Sequence, residues 1–386
     1  MAMSVPVAVG VIAVTTAGVW IGSGWLESAS ERLSTYYGLP LVIQGAVVAA
    51  IGSSMPELAA VVFAAVVEGS LSLGVGAIVG SAIFNILVIP ALAGVATEDD
   101  IESSRTLVYK EAQFYMLAVS VLLITFALAV IYYPVAGTTL AGTVTRPLAI
   151  IPLALYGLYV FIQAQDTADH EADPSEAAGI DARRQWGWLL AGLAIILVAI
   201  HFLVEVVASV GATVGVPSFL MGATILAGAT SLPDTLVSVK AARDDRGVTS
   251  LANVLGSNTF DLLVAIPVGV LLAGSLPIDF AMAVPMFGVL TAATILLFTV
   301  LRTDLSLSDG EAYLLLLAYV GFVGWIVARI RAFETHRISP SDPATCTWSL
   351  TDPGRAAAGT YAEWSASSIA SIASNRRWCR TSQTSA

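Results

Sequence analysis

Residues 39–62 read LPLVIQGAVVAAIGSSMPELAAVV, and residues 216–239 read VPSFLMGATILAGATSLPDTLVSV. The two stretches match position by position. Pro40 aligns with Pro217, Gly45 with Gly222, Ser54 with Ser231, Pro56 with Pro233 and Glu57 with Asp234. A second matched pair follows, GSAIFNILVIP at 80–90 and GSNTFDLLVAIP at 256–267. There Gly80-Ser81 aligns with Gly256-Ser257, Phe84 with Phe260 and Asn85 with Asp261. Chance does not set so many matched polar positions inside hydrophobic sequence. Glu27 and Glu205 hold similar places upstream of each repeat.

The surroundings of the repeats point to a bilayer. The 386 residues are 57% hydrophobic and only 12% charged, with a mean hydropathy of +0.83. Soluble domains carry about 25% charged residues. A spanning helix needs roughly 20 mostly apolar residues, and the periodicity gives ten candidates: 4–34, 38–67, 71–96, 108–131, 146–164, 186–211, 216–241, 248–273, 276–301 and 309–331. No Lys or Arg precedes the first, so it reads as a retained helix and not as a signal peptide.

These spans set the expected organisation. The fold class is an all-α polytopic membrane protein of ten transmembrane helices. Residues 1–164 form the first repeat, 165–185 an acidic cytoplasmic linker, 186–331 the second repeat, and 332–386 a disordered tail. Each repeat has five spans, an odd number, so the second enters the membrane upside down. Inverted repeats are a transporter architecture, with the substrate site near the midplane where interrupted helices meet.

Orientation follows from the basic residues. With loops numbered by the helix they follow, the odd loops hold Arg32, Arg105, Lys110, Arg183, Arg184, Lys240, Arg243, Arg246 and Arg302, and the even loops hold Arg146. The odd loops are therefore expected in the cytoplasm and the N-terminus outside, in a multi-pass protein of the cell membrane. Arg329 and Arg331 run against the rule, so either the tail is an exception or the span count differs by one there. The net charge of −11 gathers in loops such as Glu98-Asp99-Asp100, and its first meaning is solubility. Cys346 and Cys379 lie outside every span and argue against a disulfide framework or a thiolate metal site.

The chemistry lies in mid-span. Pro56 has no N–H, so the carbonyl of Gly52 loses its helical partner, and Pro233 does the same to Ala229. Helices 2 and 7 are accordingly expected to be broken. A lone proline would be an ordinary kink; two symmetric ones, each followed by a carboxylate, imply a cation site lined by freed carbonyls. An ionisable residue at mid-membrane costs at least about 2.5–3.5 kcal/mol. No helix core offers Glu57 or Asp234 a Lys or Arg, so the carboxylates call for an external cation. Ser53, Ser54 and Glu57 share roughly one helix face, matched by Thr230, Ser231 and Asp234. Ser81 and Asn85 are four apart on helix 3, as are Ser257 and Asp261 on helix 8. A single Ser or Thr in such a helix usually bonds its own i−4 carbonyl. Together the set is an all-oxygen shell suited to Ca²⁺ and Na⁺. No His or Cys joins it, which disfavours zinc and copper, and His201 reads as a packing residue.

If ionised, Glu57, Asp234 and Asp261 sum to −3. Three Na⁺ neutralise that charge, and Ca²⁺ leaves −1 for a proton or a K⁺ to cancel. A site filled by either set and uncomfortable when empty works as an antiporter.

On these motifs the chain resembles the calcium/cation antiporter superfamily, specifically the sodium/calcium exchangers, over about residues 1–331. The resemblance implies that Glu57 and Asp234 are central Ca²⁺ ligands. It also implies that Ser53, Ser54, Thr230, Ser231, Ser81, Asn85, Ser257 and Asp261 complete the Ca²⁺ and Na⁺ sites, with backbone carbonyls near Ala50 and Ala227. Helices 1 and 6, which carry Glu27 and Glu205, slide in the family to alternate access. The second acid, Asp234, departs from the Glu common in bacterial and archaeal members. Asp234 and Asp261 together look most like the potassium-dependent branch, where the counterpart of Asp261 is implicated in K⁺ use.

The expected function is thus Na⁺/Ca²⁺ exchange by alternating access, with K⁺ co-transport in question and H⁺/Ca²⁺ exchange as the alternative. The proton-coupled relatives carry a His after the acid, and none follows Glu57 or Asp234 here. An intramembrane aspartyl protease would need a G-x-G-D element, so no enzymatic activity is expected. A channel would build its pore by oligomerisation. The expected partners are calcium and sodium ions and the lipid bilayer, with no nucleic acid and no cofactor.

Overall fold

The computed structural model describes residues 5–39, 48, 50–97, 100–105, 107–138, 140–165, 179–244 and 246–338. Ten helical segments follow in chain order: α1 (Val5–Tyr36), α2 (Met55–Val66, after the turn Ala50–Ser53), α3 (Leu71–Val95), α4 (Ala112–Tyr132, entered by a π turn at Leu107–Glu111), α5 (Arg146–Gln165), α6 (Ala182–Val214), α7 (Ser218–Arg243), α8 (Gly247–Ala273), α9 (Phe280–Arg302) and α10 (Asp309–Ile338). Among the described residues nine helices are long and apolar enough to cross a bilayer, and α2 is a shorter apolar helix. Pro40 and Gly45 lie outside the described residues, as do Glu98, Asp99, 166–178 of the linker, and 339–386 with both cysteines.

Helix ends follow local chemistry. α6 starts earlier than its apolar run because the Asp181 carboxylate accepts a hydrogen bond from the Arg184 N–H at 3.2 Å. It ends at Gly215, whose φ of +79° is the left-handed cap that favours glycine. The ninth span corrects its expected start at 276. Residues Leu276–Asp279 are a strand, and the helix begins only at Phe280. Asp279 sets the boundary by accepting from the N–H groups of Ala281 and Met282 at 3.0 and 3.3 Å. Asp279→Ala is expected to cost about 1 kcal/mol and to lower the thermal midpoint of detergent-solubilised protein, while Asp279→Ser stays close to wild type.

Four short strands reveal which loops share an end of the molecule. β1 (Ile101–Glu102) pairs antiparallel with β4 (Ser306–Leu307), joining loops 3 and 9. β2 (Ala141–Val144) pairs antiparallel with β3 (Leu276–Asp279), joining loops 4 and 8. Side chains agree. On the odd end the Arg302 guanidinium lies 5.4 Å from the Tyr109 ring centroid, and Arg243 Nε donates to the Ala96 carbonyl at 3.4 Å. On the even end Arg146 Nε donates to the Leu271 carbonyl at 3.0 Å. Basic loops 3, 7 and 9 thus gather at one end. α10 is a single helix, so no extra span intervenes before Arg329, which packs over Trp325 at 5.1 Å.

Burial sorts the helices into layers. α3 and α8 are buried on nearly every face. Bulky residues such as Val14, Ile131, Leu190, Leu317 and Val320 are exposed on α1, α4, α6 and α10, the surface a bilayer covers. α1 and α6 pack against each other in antiparallel fashion through Gly22 and Gly192, where an added Cβ at either would meet the other's backbone carbonyl at 2.9 or 2.6 Å. α3 and α7 approach as closely. A Cβ on Gly80 would strike the Ala223 carbonyl, and one on Gly222 would strike the Leu73 carbonyl. Such small-residue contacts let spanning helices meet backbone to backbone.

The two proline motifs are not broken alike. α2 is interrupted at Ser54, and the helix restarts with Met55 and Pro56 in its first turn, where a missing N–H costs nothing. α7 runs α-helical from Ala227 through Pro233 to Arg243. Its irregularity lies upstream, a π turn at Gly222–Leu226. In α8, Pro267 offers no N–H to the Leu263 carbonyl, and the preceding turn, Asp261–Ala265, widens to π.

Candidate ion-binding site

Four helices, two from each repeat, bring the polar residues together. Glu57 enters on the first turn of α2, where the positive end of the restarted helix favours a carboxylate. Asp234 lies in mid-helix on α7, and Asp261 begins the π turn of α8. Ser53, Ser54, Ser81, Asn85, Thr230, Ser231 and Ser257 join them, and all ten side chains are buried.

The contacts cross from one repeat to the other. The Ser81 and Ser231 hydroxyls are 2.7 Å apart. The repeat equivalent is Ser54, whose hydroxyl donates to the Ser257 backbone carbonyl at 3.4 Å. Asn85 Nδ2 donates to Asp234 Oδ2 at 3.3 Å. By the repeat alignment, the equivalent of that bond would join Asp261 to Glu57. Both of those are carboxylates, and neither can donate to the other without a proton. Asp261 stands within electrostatic reach of Glu57. All four of their carboxylate oxygens are buried without a hydrogen-bond partner. Asp234 Oδ1 and Asn85 Oδ1 are also unpartnered.

Thr230 lies beside Glu57, and Ser53 beside Asp234, so each carboxylate faces a hydroxyl from the opposite repeat. Two hydroxyls also bond within their own helices, Thr230 to the Ala227 carbonyl at 3.2 Å and Ser257 to the Val254 carbonyl at 3.1 Å. Their lone pairs stay available to a cation. Burying so many acceptors without donors is costly, and a cation is what such oxygens lack. Among the described residues no three His, Cys, Asp or Glu side chains could hold a metal ion by themselves. A bound ion must draw on hydroxyls and the Asn85 amide as well as carboxylates.

Two neighbours differ from the symmetry of the sequence. Glu27 on α1 is half-buried within electrostatic reach of Asp234 and Lys240, whereas Glu205 on α6 is exposed. His201 packs against the Phe63 and Phe202 rings, each at 5.3 Å. One residue at the site escapes the repeat comparison. Asn258 is fully buried, accepts from Asn85 Nδ2 at 3.0 Å, and donates to the Ala82 carbonyl at 3.2 Å. Its repeat equivalent is Ala82 itself, so matching polar residues between the repeats passes over it. Its place within GSNTFD was the available signal.

An inverted pair of helical repeats around a buried, acid-rich centre whose candidate ligands are oxygens defines a membrane cation transporter. The sequence pattern of the sodium/calcium exchanger protein family matches residues 7–165 and 184–328, and the chain belongs to that family. It is therefore a multi-pass antiporter exchanging Ca²⁺ against another cation, and not an enzyme. An uncharacterized membrane protein of Methanocaldococcus jannaschii is 26% identical over 251 residues, 65% of this chain and 77% of that protein. Human sodium/potassium/calcium exchanger 5 is 44% identical over 63 residues, 16% of this chain and 13% of that one. A structure of the sodium-calcium exchanger NCX_Mj, soaked with 10 mM Na⁺ and zero Ca²⁺, shares the fold. Its TM-score is 0.57 at 22% identity, covering 83% of this chain and 99% of that one.

Proposed function

We propose that the counter-ion is Na⁺ and that Na⁺ and Ca²⁺ compete for one buried centre by alternating access. In this reading Glu57 and Asp234 hold Ca²⁺, and Asp261, Asn85, Ser53, Ser54, Ser81, Thr230, Ser231 and Ser257 complete the Ca²⁺ and Na⁺ sites. The observation that carries it is the pair Glu57 and Asp261, within electrostatic reach of each other, whose four carboxylate oxygens are buried without a hydrogen-bond partner. Three carboxylates and a ring of hydroxyls favour either several Na⁺ or one Ca²⁺ with a further positive charge. K⁺ fills that last place if Asp261 works as the potassium-dependent pattern suggests; the local similarity to a sodium/potassium/calcium exchanger supports asking. The basic odd loops are assigned to the cytoplasm and the N-terminus to the outside.

The test is ⁴⁵Ca²⁺ uptake into Na⁺-loaded proteoliposomes diluted into Na⁺-free buffer, with and without K⁺. Uptake that requires internal Na⁺ is expected. If K⁺ is carried, external K⁺ raises the rate and ⁸⁶Rb⁺ enters with the calcium. Uptake indifferent to Na⁺ but driven by a pH gradient would replace this reading with proton exchange.

A further inference from the structure

Asn258 has no place in the ligand set above, yet it is the most constrained polar side chain beside it. Its partners determine its orientation. The Ala82 carbonyl can only accept, so the end of the Asn258 amide facing it at 3.2 Å must be the NH2. The same NH2 lies 3.4 Å from the hydroxyl of Tyr115, which is itself fully buried. The other end, Oδ1, is therefore an acceptor, and it faces Asn85 at 3.0 Å. That obliges Asn85 to present its own NH2. Asp234 Oδ2, 3.3 Å away, asks for the same group. Two acceptors thus hold Asn85 Nδ2, and Asn85 Oδ1 is left buried and unpartnered. This argument does not depend on telling amide nitrogen from oxygen by position, because the chain ends on a backbone carbonyl, which has only one role.

Asn85 without this relay is ambiguous. A primary amide offers an oxygen one way round and two N–H donors the other. Turned over, it would present positive hydrogens where a cation binds, and its oxygen would face the Asp234 carboxylate. Asp234 alone supplies one 3.3 Å bond against that turn; Asn258 adds a second, shorter one anchored to the backbone of the opposite repeat. Asp261, the repeat equivalent of Asn85, needs no such guide, because both ends of a carboxylate are oxygens. Its would-be guide position is Ala82, which has no side-chain polar group. The asymmetry of Asn258 and Ala82 therefore matches the asymmetry of Asn85 and Asp261.

We propose that Asn258 is a positioning residue that fixes the Asn85 amide with its oxygen available to the transported cation. The proposal rests on the reading of Asn85 as an ion ligand. Its test is a double-mutant cycle read by equilibrium ⁴⁵Ca²⁺ binding to detergent-solubilised full-length protein in Na⁺-free buffer, and again as the calcium KM of Na⁺-driven uptake. Asn258→Ala is expected to weaken calcium binding about tenfold, raising KM more than it lowers kcat. Asn85→Ala is expected to weaken it at least as much. In Asn85→Ala protein, adding Asn258→Ala should weaken binding no further, because no amide is left to orient.

Multiplicative losses in the double variant would overturn the proposal and make Asn258 act on its own. Unchanged binding in Asn258→Ala would overturn it too. If Asn258→Ala is not recovered as folded protein, Asn258→Ser goes through the same cycle with the same criterion, coupling to Asn85. Glu57→Gln serves as the reference. If it still binds calcium like wild type, the site itself is misplaced. If it loses binding while Asn258 and Asn85 act independently, only the positioning role fails.

Discussion

Proteoliposomes carrying Glu57→Gln are expected to take up ⁴⁵Ca²⁺ no faster than empty vesicles, while the protein itself folds normally. The substitution keeps the shape of the side chain and removes its charge. A divalent ion about 2.4 Å from a carboxylate oxygen gains roughly 14 kcal/mol of Coulomb energy at an effective dielectric constant of about 20. Most of that repays dehydration of the ion. If only a fifth survives as net affinity, its loss is already about a hundredfold. The fold should not suffer, since both Glu57 oxygens are buried without partners and relieving that charge costs the empty protein nothing. The thermal midpoint measured without calcium is therefore expected to stay level or rise. The stabilisation that calcium gives the wild type should vanish. Wild-type uptake by the variant would show that the cation binds elsewhere.

The second large effect concerns packing and not charge. Gly222→Val is expected to leave little or no folded protein. The new Cβ would lie on the Leu73 carbonyl and 2.8 Å from the Ala77 backbone nitrogen. Both are main-chain atoms in α3, which is buried on nearly every face and cannot move aside. Overpacking a core costs about 1–3 kcal/mol where side chains can shift; here only backbone is available, so the upper end is a lower bound. Gly80→Val should behave alike, because its Cβ would meet the Ala223 backbone on α7. Gly288→Ala is the control: no atom lies within 4 Å of its added Cβ, and a gain in helix propensity is the only expected effect. Yield of monodisperse protein after detergent extraction checks all three. Normal yield of Gly222→Val would mean that α3 and α7 do not meet as closely as described.

Much of the spanning architecture was legible because two signals reinforce each other. Apolar runs long enough for a bilayer announce the helices, and the repeated proline-acid motif orders them into halves. Helix ends were less legible where a single side chain decides them. The strand that precedes the Asp279 cap depends on pairing with β2, more than a hundred residues away. Strands of two to four residues carry no periodicity of their own. The polar centre was readable wherever the repeats agree. Asn258 was missed because its equivalent is alanine, and the partners that reveal its role, Asn85 and the Ala82 carbonyl, are distant in sequence. The unlike breaks of α2 and α7 were also hidden. Pro56 and Pro233 read alike, but α7 accommodates its irregularity in a π turn upstream, against α3. Glu27 and Glu205 likewise match in sequence while one is half-buried and the other exposed. One conformation of an inverted-repeat antiporter need not treat its halves alike.

The two small ribbons bear on how such a protein is assembled. Among the described residues the strand partner of β1 is β4 and that of β2 is β3, while the other edge of β2 bonds Tyr133 and Val135 within its own half. In each pair one strand lies before Gln165 and the other after Asp181. Neither half can close its own ribbon, so each leaves backbone donors waiting at both ends until the other arrives. The covalent join between the halves contributes none of these bonds. A gene cut within codons 166–178 and expressed as two polypeptides should therefore still yield one co-purifying complex, whereas either fragment alone should be degraded. The meeting of the halves, and not their covalent linkage, would then make the fold.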